Sequence, residues 1–258
     1  PEAKFFLERA EEILGKMKNL ERFMLRSANQ SFQIRIACMP VLSEIFLPKI
    51  IADFATEHED AHFYLRAQPS EQVHESIASQ QFDVGFAETP KKSELYVTKD
   101  FSLPTMIALP DGHELSFHRV LTPKNLDNVP FATFLPEHEL TIQLRSAFEG
   151  LDAKLNIPFF LQNAAAQYSI VENGHAVGFM SLLNVWLYQE NWERRSRKKI
   201  IFRPFSPQIY QNISLITPRH RHLPQIGQLF SAKLEKSVNS ILNKTKSQFQ
   251  LDELEELN

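Results

Sequence analysis

The chain has 258 residues, of which 43% are hydrophobic, so it can bury one large core or two modest ones. Its 28 Lys and Arg against 31 Asp and Glu give a net charge of −3, which argues against nucleic-acid binding over the whole surface. Cys38 is the single cysteine, which excludes an internal disulfide and favours the cytoplasm. The sequence shows no apolar run of membrane-spanning length, so we predict a cytoplasmic protein with no membrane partner.

The first part of the chain, residues 1–30, predicts one long helix. Pro1 fits a first helical position, because the amide there has no intrahelical partner. An apolar seam with spacings of four and three runs through Phe6, Ala10, Ile13, Met17, Leu20 and Met24. Such a heptad seam is typical of coiled coils, so we predict a linker and dimerisation helix. Packing of the same face on the following domain is the alternative.

From Ser31 the sequence alternates between strand-like and helix-like segments, and the same order returns in the second half. The first half predicts strands at 34–38, 62–67 and 83–87, with helices over 42–58 and 70–80. The second half predicts strands at 131–135, 157–161 and 176–180, with helices over 139–150 and 163–172. The residues themselves do not repeat, so we predict two α/β lobes of one design.

Two further segments connect these halves. A strand over 105–110 ends at an Asp-Gly turn, and a strand over 212–217 leads to a helix over 223–242. If that helix packs on the first lobe, the chain crosses between the lobes twice. We therefore predict lobe I over 31–112 and 213–243, lobe II over 113–212, and a frayed polar tail over 244–258.

Candidate ligand contacts follow from the strand positions. In open α/β sheets, ligands bind at the carboxyl ends of strands, where helix N-termini converge. In lobe I this rule selects Met39, Pro40, Val41, Leu42, Ser43, Gln68, Pro69 and Ser70. In lobe II it selects Phe134, Pro136, Glu137, Gln162, Asn163, Met180 and Ser181. Two such lobes predict a hinged cleft that closes on a ligand, whereas Ser70 and Asn163 could also be simple helix caps.

The charge around these segments favours one class of ligand. Helix N-termini attract anions, yet the segments and the first helical turns beside them carry Glu44, Glu71, Glu137 and Glu139. The segments contain no Lys or Arg. We therefore predict a ligand with an amine, such as a basic amino acid, an opine or a diamine. The alternative is that these acids only satisfy the helix dipoles.

The sequence lacks the patterns of catalytic and metal sites. Its seven glycines form no phosphate loop, and it contains neither a Gly-x-Ser-x-Gly elbow nor a His-Glu-x-x-His motif. The close His pair in 219–222 and the basic run in 194–199 fit solvated loops better than a metal or DNA site. Cys38 fits a small buried hydrophobe better than a redox sensor. We predict no catalysis, no metal and no cofactor.

Several segments resemble the effector domains of LysR-type transcription regulators. Ile34–Ala37 is similar to the opening of those domains, and Phe82–Phe86 is similar to their hydrophobic-Asp-hydrophobic-Gly-hydrophobic strand. Ala108–Leu115 resembles their Leu-Pro-x-x-His-Pro-Leu crossover, and Val171–Gly178 resembles their Val-x-x-Gly-x-Gly element. Pro1–Ala10 resembles the entry to their linker helix, so the resemblance covers the chain from residue 1 to about 242.

The resemblance implies a periplasmic-binding-protein-like fold, an α/β fold of two lobes with a hinged cleft. It implies inducer contacts at Val41, Ser70 and Pro136. It also implies a winged helix-turn-helix upstream of Pro1, promoter DNA bound through that missing domain, and assembly into homodimers or homotetramers.

Two positions depart from the family pattern, and one segment matches a subset of the family. Glu114 stands where the family has Pro, and His175 stands where it has a second Gly. Ala37–Pro40 is similar to the opening of relatives that sense opines and amino acids.

We therefore predict the ligand-sensing domain of a LysR-type regulator, in which a small-molecule inducer closes the cleft. The closed state then acts through the linker helix on the absent DNA-binding domain. A solute-binding protein of a transport system is the alternative, and the heptad helix argues against it. An enzyme on the same fold would need a catalytic group that the sequence does not offer.

Overall fold

A computed structural model of the chain describes residues 10, 13–15, 17, 32–193, 199–221 and 223–251. The coiled-coil prediction for residues 1–30 therefore lies mostly outside the described residues and stays a prediction. The basic run at 194–198 and the tail at 252–258 also lie outside them. Of the predicted seam, Ala10, Ile13 and Met17 are described. All three are helical, Ala10 is half-buried, and Ile13 and Met17 are exposed.

The described residues form two compact units. Unit 1 comprises the residues up to Phe101 together with Asn212–Val238, and unit 2 comprises Ser102–Gln211 together with the residues from Asn239 onward. The chain changes unit inside two long strands and one long helix, and not at turns. The lobe limits predicted from the sequence stay a prediction.

Unit 1 is an α/β layer. Its elements are β1 (Phe32–Cys38), α1 (Pro40–Glu44), α2 (Phe46–Glu57), β2 (Ala61–Ala67), α3 (Ser70–Ala78), β3 (Val84–Glu88), the first part of β4 (Tyr96–Pro110), most of β9 (Tyr210–Pro218) and the first part of α7 (Gln225–Phe249). Strands β1, β2 and β3 run parallel, and β9 pairs antiparallel with β3. The strand order is β2-β1-β3-β9, with β4 next to β9.

The core of unit 1 lies between this sheet and helices α2, α3 and α7. Phe230 of α7 packs edge-on against Phe54 of α2, with ring centroids 5.2 Å apart, so the first part of the last helix packs on unit 1. Helix α3 lies so close to β3 that a methyl group on Gly85 would be 2.7 Å from Cγ1 of Ile77. Only glycine allows that approach.

Unit 2 repeats the α/β design. Its elements are the rest of β4, a 3-10 turn (Glu114–Phe117), β5 (Pro130–Thr133), α4 (Glu139–Phe148), β6 (Asn156–Phe160), α5 (Ala164–Glu172), β7 (Val177–Ser181), α6 (Leu182–Leu187), a π-helical turn (Tyr188–Trp192), β8 (Ile200–Pro204) and the end of α7. The strand order is β4-β7-β5-β6, and β8 pairs with β4. Strands β5, β6 and β7 run parallel.

Two segments differ in part from the prediction. The helix predicted over 42–58 is two helices that separate at Ile45, because Pro48 cannot donate to the carbonyl of Glu44 and instead occupies the first turn of α2. The tail predicted to fray from residue 244 is helical to Phe249, since Thr245 and Leu251 are buried. The ring of Phe249 packs against Phe202, with centroids 6.5 Å apart.

The segment Arg219–His222 was predicted to be a solvated loop, and Arg221 contradicts this. The guanidinium of Arg221 lies 2.5 Å from Oδ1 of Asp83, a charge contact without the alignment of a hydrogen bond, and both side chains are less than one-tenth exposed. Oδ2 of Asp83 accepts from the amide of Arg35 at 2.8 Å. The ion pair therefore joins the segment after β9 to the amino end of β3 and to the middle of β1.

We expect Arg221→Leu to destabilise the chain by about 3–5 kcal/mol, because it leaves the buried carboxylate of Asp83 without its cation. The double variant Arg221→Leu/Asp83→Leu is expected to recover part of that loss, since no buried charge remains unpaired. Urea unfolding measures both. Glu57→Gln, which breaks the exposed pair with Lys233, is the control and should leave the midpoint unchanged. Equal midpoints for Arg221→Leu and the control would contradict the assignment.

Candidate functional site

The carboxyl ends of β1, β2 and β3 meet at one edge of unit 1. The amide of Met39 donates to the carbonyl of Phe86 at 3.0 Å, and the amide of Gln68 donates to the carbonyl of Cys38 at 2.9 Å. These bonds bring together the two segments of lobe I that the strand-end rule selected. We call this edge the unit 1 rim, and it consists of Met39–Ser43, Gln68–Ser70 and Glu88.

The predicted residues of the unit 1 rim differ in accessibility. Met39 and Leu42 are buried, whereas Pro40 is exposed and Val41 is half-buried. The hydroxyl of Ser43 donates to the carbonyl of Pro40 at 2.7 Å, within α1. Leu42 therefore packs in the core, and Pro40 and Val41 are the residues of this segment that present apolar surface at the rim.

Gln68 and Cys38 serve the structure of the rim. The buried side chain of Gln68 donates to the carbonyl of Gln72 and to the hydroxyl of Ser76, both at 2.7 Å, which fixes the first turns of α3. Burial raises the pKa of the Cys38 thiol to about 12, so the cysteine is a small buried side chain, as predicted.

Ser70 was expected to be an N-cap, and this is wrong. Pro69 occupies the N-cap and Ser70 is the first helical residue. The Ser70 hydroxyl instead accepts from the amide of Glu88 at 3.3 Å, and Nε2 of His74 lies 2.8 Å from the carbonyl of Glu88. Helix α3 thus holds the end of β3 at the rim.

Glu88 was missed by the sequence analysis. The rule that selected Met180 and Ser181, after the third strand of the second half, selects Glu88 when it is applied to the first half. Glu88 is half-buried. Beside it, the hydroxyl of Ser214 lies 2.8 Å from Oγ1 of Thr89 and 2.7 Å from a carboxylate oxygen of Asp100.

The unit 1 rim is acidic. Glu44 and Glu71 lie in helices beside it and are exposed, and Glu88 adds a third carboxylate. The rim itself contains no Arg or Lys; the exposed Arg66 precedes its Gln68–Ser70 segment, and the exposed Lys91 and Lys92 follow Glu88.

A second rim lies at the carboxyl ends of β5, β6 and β7 in unit 2. The amide of Leu161 donates to the carbonyl of Thr133 at 2.8 Å, and Ala132 lies opposite Gly178 in the sheet. On β7, Ser181 lies opposite Thr105 of β4. We call this edge the unit 2 rim, and it consists of Phe134, Pro136–His138, Gln162, Asn163, Met180 and Ser181.

His138 organises the first part of the unit 2 rim. It is the N-cap of α4, where its Nδ1 accepts from the amide of Leu140 at 3.2 Å, and its ring stacks on Phe134 with centroids 4.4 Å apart. Burial lowers the pKa of His138, and the neighbouring Glu137 carboxylate partly opposes that shift. Pro136 and Glu137 themselves are exposed.

The remaining predicted residues of unit 2 divide into a cap and a buried pair. Oδ1 of Asn163 accepts from the amide of Ala166 at 2.9 Å, so Asn163 caps α5, while Gln162 is exposed. Met180 and Ser181 are fully buried at the end of β7.

Two buried amides behind this rim were missed. Both polar side-chain atoms of Gln167 on α5 lack a hydrogen-bond partner among the described residues, and so does Oδ1 of Asn184. Gln167 lies one helical turn before Val171, which packs against Gly178, so its side chain faces β7. A polar residue at an inward helical position was the signal available in the sequence.

A concave surface of about 460 Å³ lies elsewhere in unit 2, against α4 and β6. Its lining includes Arg145, Phe148, Ile157 and Phe160, and none of the predicted contact residues lines it. The rims remain the candidate site, because they combine strand ends with polar side chains. Within the described part of the chain, no group of His, Cys, Asp and Glu could hold a metal ion.

Two α/β units with parallel strands are the fold of periplasmic-binding-protein-like effector domains, which the solved structures similar to this chain share. The chain matches the LysR substrate binding domain over residues 27–237, and it belongs to that family. It is therefore a domain of LysR-type transcription regulators that binds small-molecule effectors, and the transport-protein alternative is not favoured.

Individual proteins support this assignment. The chain is 26% identical to the transcriptional activator protein LysR of Escherichia coli over 240 residues, which is 90% of this chain and 74% of LysR. It is 36% identical to the octopine catabolism/uptake operon regulatory protein OccR of Rhizobium meliloti over 91 residues, which is 35% of this chain and 30% of OccR. The crystal structure of HinK from Pseudomonas aeruginosa has the same fold, with a TM-score of 0.65, 17% identity, and coverage of 92% of this chain and 80% of HinK.

We expect Gln167→Met to raise the free energy of unfolding by about 1–3 kcal/mol, because it replaces buried polar atoms without partners by a side chain of similar length. Urea unfolding measures the gain. Gln143→Met is the control, since Gln143 donates to Glu139 at 2.8 Å and lies at the helix surface. A Gln167→Met chain that is no more stable than the control would show that the amide of Gln167 is bonded in solution.

The lowered pKa of His138 predicts a pH dependence of stability. The unfolded chain binds the His138 proton more readily than the folded chain does, so stability falls as the pH decreases through the ordinary histidine pKa of about 6.5. His138→Asn keeps an N-cap and should reduce this loss between about pH 7.5 and pH 5. Thermal unfolding across that pH range measures the loss of stability in each variant. His175→Asn, at an exposed position, should behave like the wild type, and identical curves for both variants would contradict the prediction.

Proposed function

We propose that this chain senses an effector that carries an amine, such as a basic amino acid, an opine or a diamine. The observation that carries the proposal is the acidic unit 1 rim, where Glu88 lies at the end of β3 and no Arg or Lys is present. An ammonium group near such carboxylates forms charge-assisted hydrogen bonds, which are stronger than neutral ones.

Glu88 is well placed for this role. Its backbone is held on both sides, by the Ser70 hydroxyl at the amide and by His74 at the carbonyl. Because Glu88 is also half-buried, its carboxylate acts in a medium less polar than water, where the attraction for a cation is stronger. Because the backbone of Glu88 is already held, little backbone entropy is lost there when a ligand binds.

Two further observations support the amine. The neutral His138 adds no positive charge to the unit 2 rim, whose exposed Glu137 adds a negative one. The name of the similar protein OccR connects that protein with octopine, an opine. The prediction that the effector lies between two lobes stays a prediction.

The wider role of the protein is part of the proposal. We infer a regulator that works in the cytoplasm without catalysis, that self-associates through residues 1–30 and that reaches promoter DNA through a further domain. The family is regulatory, which supports this inference. Among the described helices, none combines the length and the apolar character needed to cross a membrane.

A thermal-shift panel tests the effector class. L-lysine, octopine and cadaverine are the amine probes, and succinate and benzoate are the carboxylate probes. At a concentration of 100 times its Kd, a ligand stabilises the folded chain by about 2.7 kcal/mol. We expect at least one amine probe to raise the Tm by several degrees.

The site is tested with a matched pair of variants. Glu88→Gln should abolish the shift caused by the amine probe, because it removes the charge that binds the ammonium group. Glu149→Gln, an exposed position at the far end of α4 from the unit 2 rim, should keep it. Stabilisation by the carboxylate probes alone would overturn the amine proposal.

A further inference from the structure

The described residues near the start of the chain, 10, 13–15 and 17, are helical, and we call them the leading helix. Gly15 of this helix packs directly on Gln80 in unit 1. Gly15 is helical and buried, and a methyl group placed on it would lie 2.9 Å from Cδ and 3.0 Å from Nε2 of Gln80. The side chain of Gln80 is only 3% exposed, so it has little space to move away. The contact therefore requires glycine at residue 15 while Gln80 stays in place.

Gln80 has a backbone conformation that favours glycine, although it carries a long side chain. Gln80 follows the C-terminus of α3 with φ at +57°, a conformation that glycine adopts at much lower cost. The amide of Gln80 donates to the carbonyl of Ile77, and the amide of Gln81 donates to the carbonyl of Ser76, both at 2.9 Å, which is the Schellman pattern. A long side chain opposes the local preference at this position, and its contact with Gly15 offers a reason for keeping it.

Two arginines hold this turn. Arg221 donates to the carbonyl of Gln80 at 3.4 Å while it pairs with Asp83, and Arg35 donates to the carbonyl of Gln81 at 3.2 Å. These bonds hold the backbone of the turn in place, so Gln80 is fixed where Gly15 contacts it.

The other end of α3 lies at the unit 1 rim. There Ser70 and His74 bond to the backbone of Glu88, and Gln68 bonds to the first turns of the helix. Helix α3 has nine residues and a length of about 13 Å, so it connects the two places as one rigid element.

We propose that Gln80 is the docking surface for the leading helix and that α3 transmits changes at the unit 1 rim to that helix. The docking part stands on the contacts of Gly15, Gln80 and Arg221 alone. The transmission part rests on the proposed function, in which the rim binds the effector.

Docking is tested by hydrogen exchange of the peptide that covers residues 10–17, with Tm as a second measurement. Gln80→Gly relieves the backbone but removes the docking side chain, so exchange in this peptide should increase several-fold. Asn128→Gly is the matched control, because Asn128 has φ at +55° and is exposed. This control should leave the hydrogen exchange of the peptide over residues 10–17 unchanged.

A double-mutant cycle gives the second measurement. Gly227→Ala in α7 is the reference for a Gly-to-Ala change that meets no obstacle. A methyl group there has only ordinary contacts, the nearest at 3.6 Å, so this change should raise the Tm by about 2–4 °C. Gly15→Ala should not raise the Tm in the wild-type chain but should do so in the Gln80→Gly chain. Additive effects, together with unchanged exchange in Gln80→Gly, would overturn the docking surface.

Transmission is tested with octopine at saturating concentration. We expect octopine to change the exchange of residues 10–17 in the wild type and not in Gln80→Gly. A Tm shift without any change in that peptide would overturn the transmission by α3 and leave the proposed function intact. If no amine probe shifts the Tm, the amine proposal and the transmission both fail, while the double-mutant cycle still decides the docking surface.

Discussion

The pairing of parallel strands is the constraint on which the rest of the structure depends. Parallel strands must end at the same edge of a sheet, and helices return the chain to the opposite edge. The register of Cys38 opposite Ala67 and Phe86 therefore brings three separate turns of unit 1 together. The same rule brings the ends of β5, β6 and β7 together in unit 2. The position of each rim follows from hydrogen-bond geometry, and only its chemistry depends on the residues that occupy it.

The two ends of the unit 1 sheet carry different kinds of polar group. At the carboxyl ends Glu88 is half-buried. At the amino ends Asp83 is buried and must be paired, because an isolated buried charge is unstable in a protein interior. Arg221 supplies that pair and also bonds to the turn after α3. A buried ion pair adds little net stability, but it fixes which elements meet, and here it fixes the turn that carries Gln80.

Local patterns in the sequence predicted most of this fold, and long-range pairings account for what they missed. Apolar periodicity located α3, α5 and the parallel strands to within a few residues, because burial alternates with the period of each element. It missed β8 and the first part of β4, where exposed residues such as Lys99 and Asp100 dilute the strand signal. Arg221 looked like a loop residue because its partner Asp83 is distant in sequence. The strand-end rule selected rim segments that do come together, and it missed Glu88 only because it was applied unevenly.

The position of Gln80 illustrates how a conflict between local preference and observed structure can indicate function. A helix C-terminus of this type favours glycine, and natural sequences are otherwise consistent from local preference to fold. Where they are not, something outside the element must benefit. Here the residue in contact with Gln80 is Gly15 of the leading helix. By backbone preference alone, glycine would suit position 80, and a residue with a side chain would suit position 15. Glycine at position 80 and a residue with a side chain at position 15 would improve the local structure of α3 and of the leading helix, and would remove the contact between them. A contact kept at the expense of both helices is the kind expected where one helix must respond to the other.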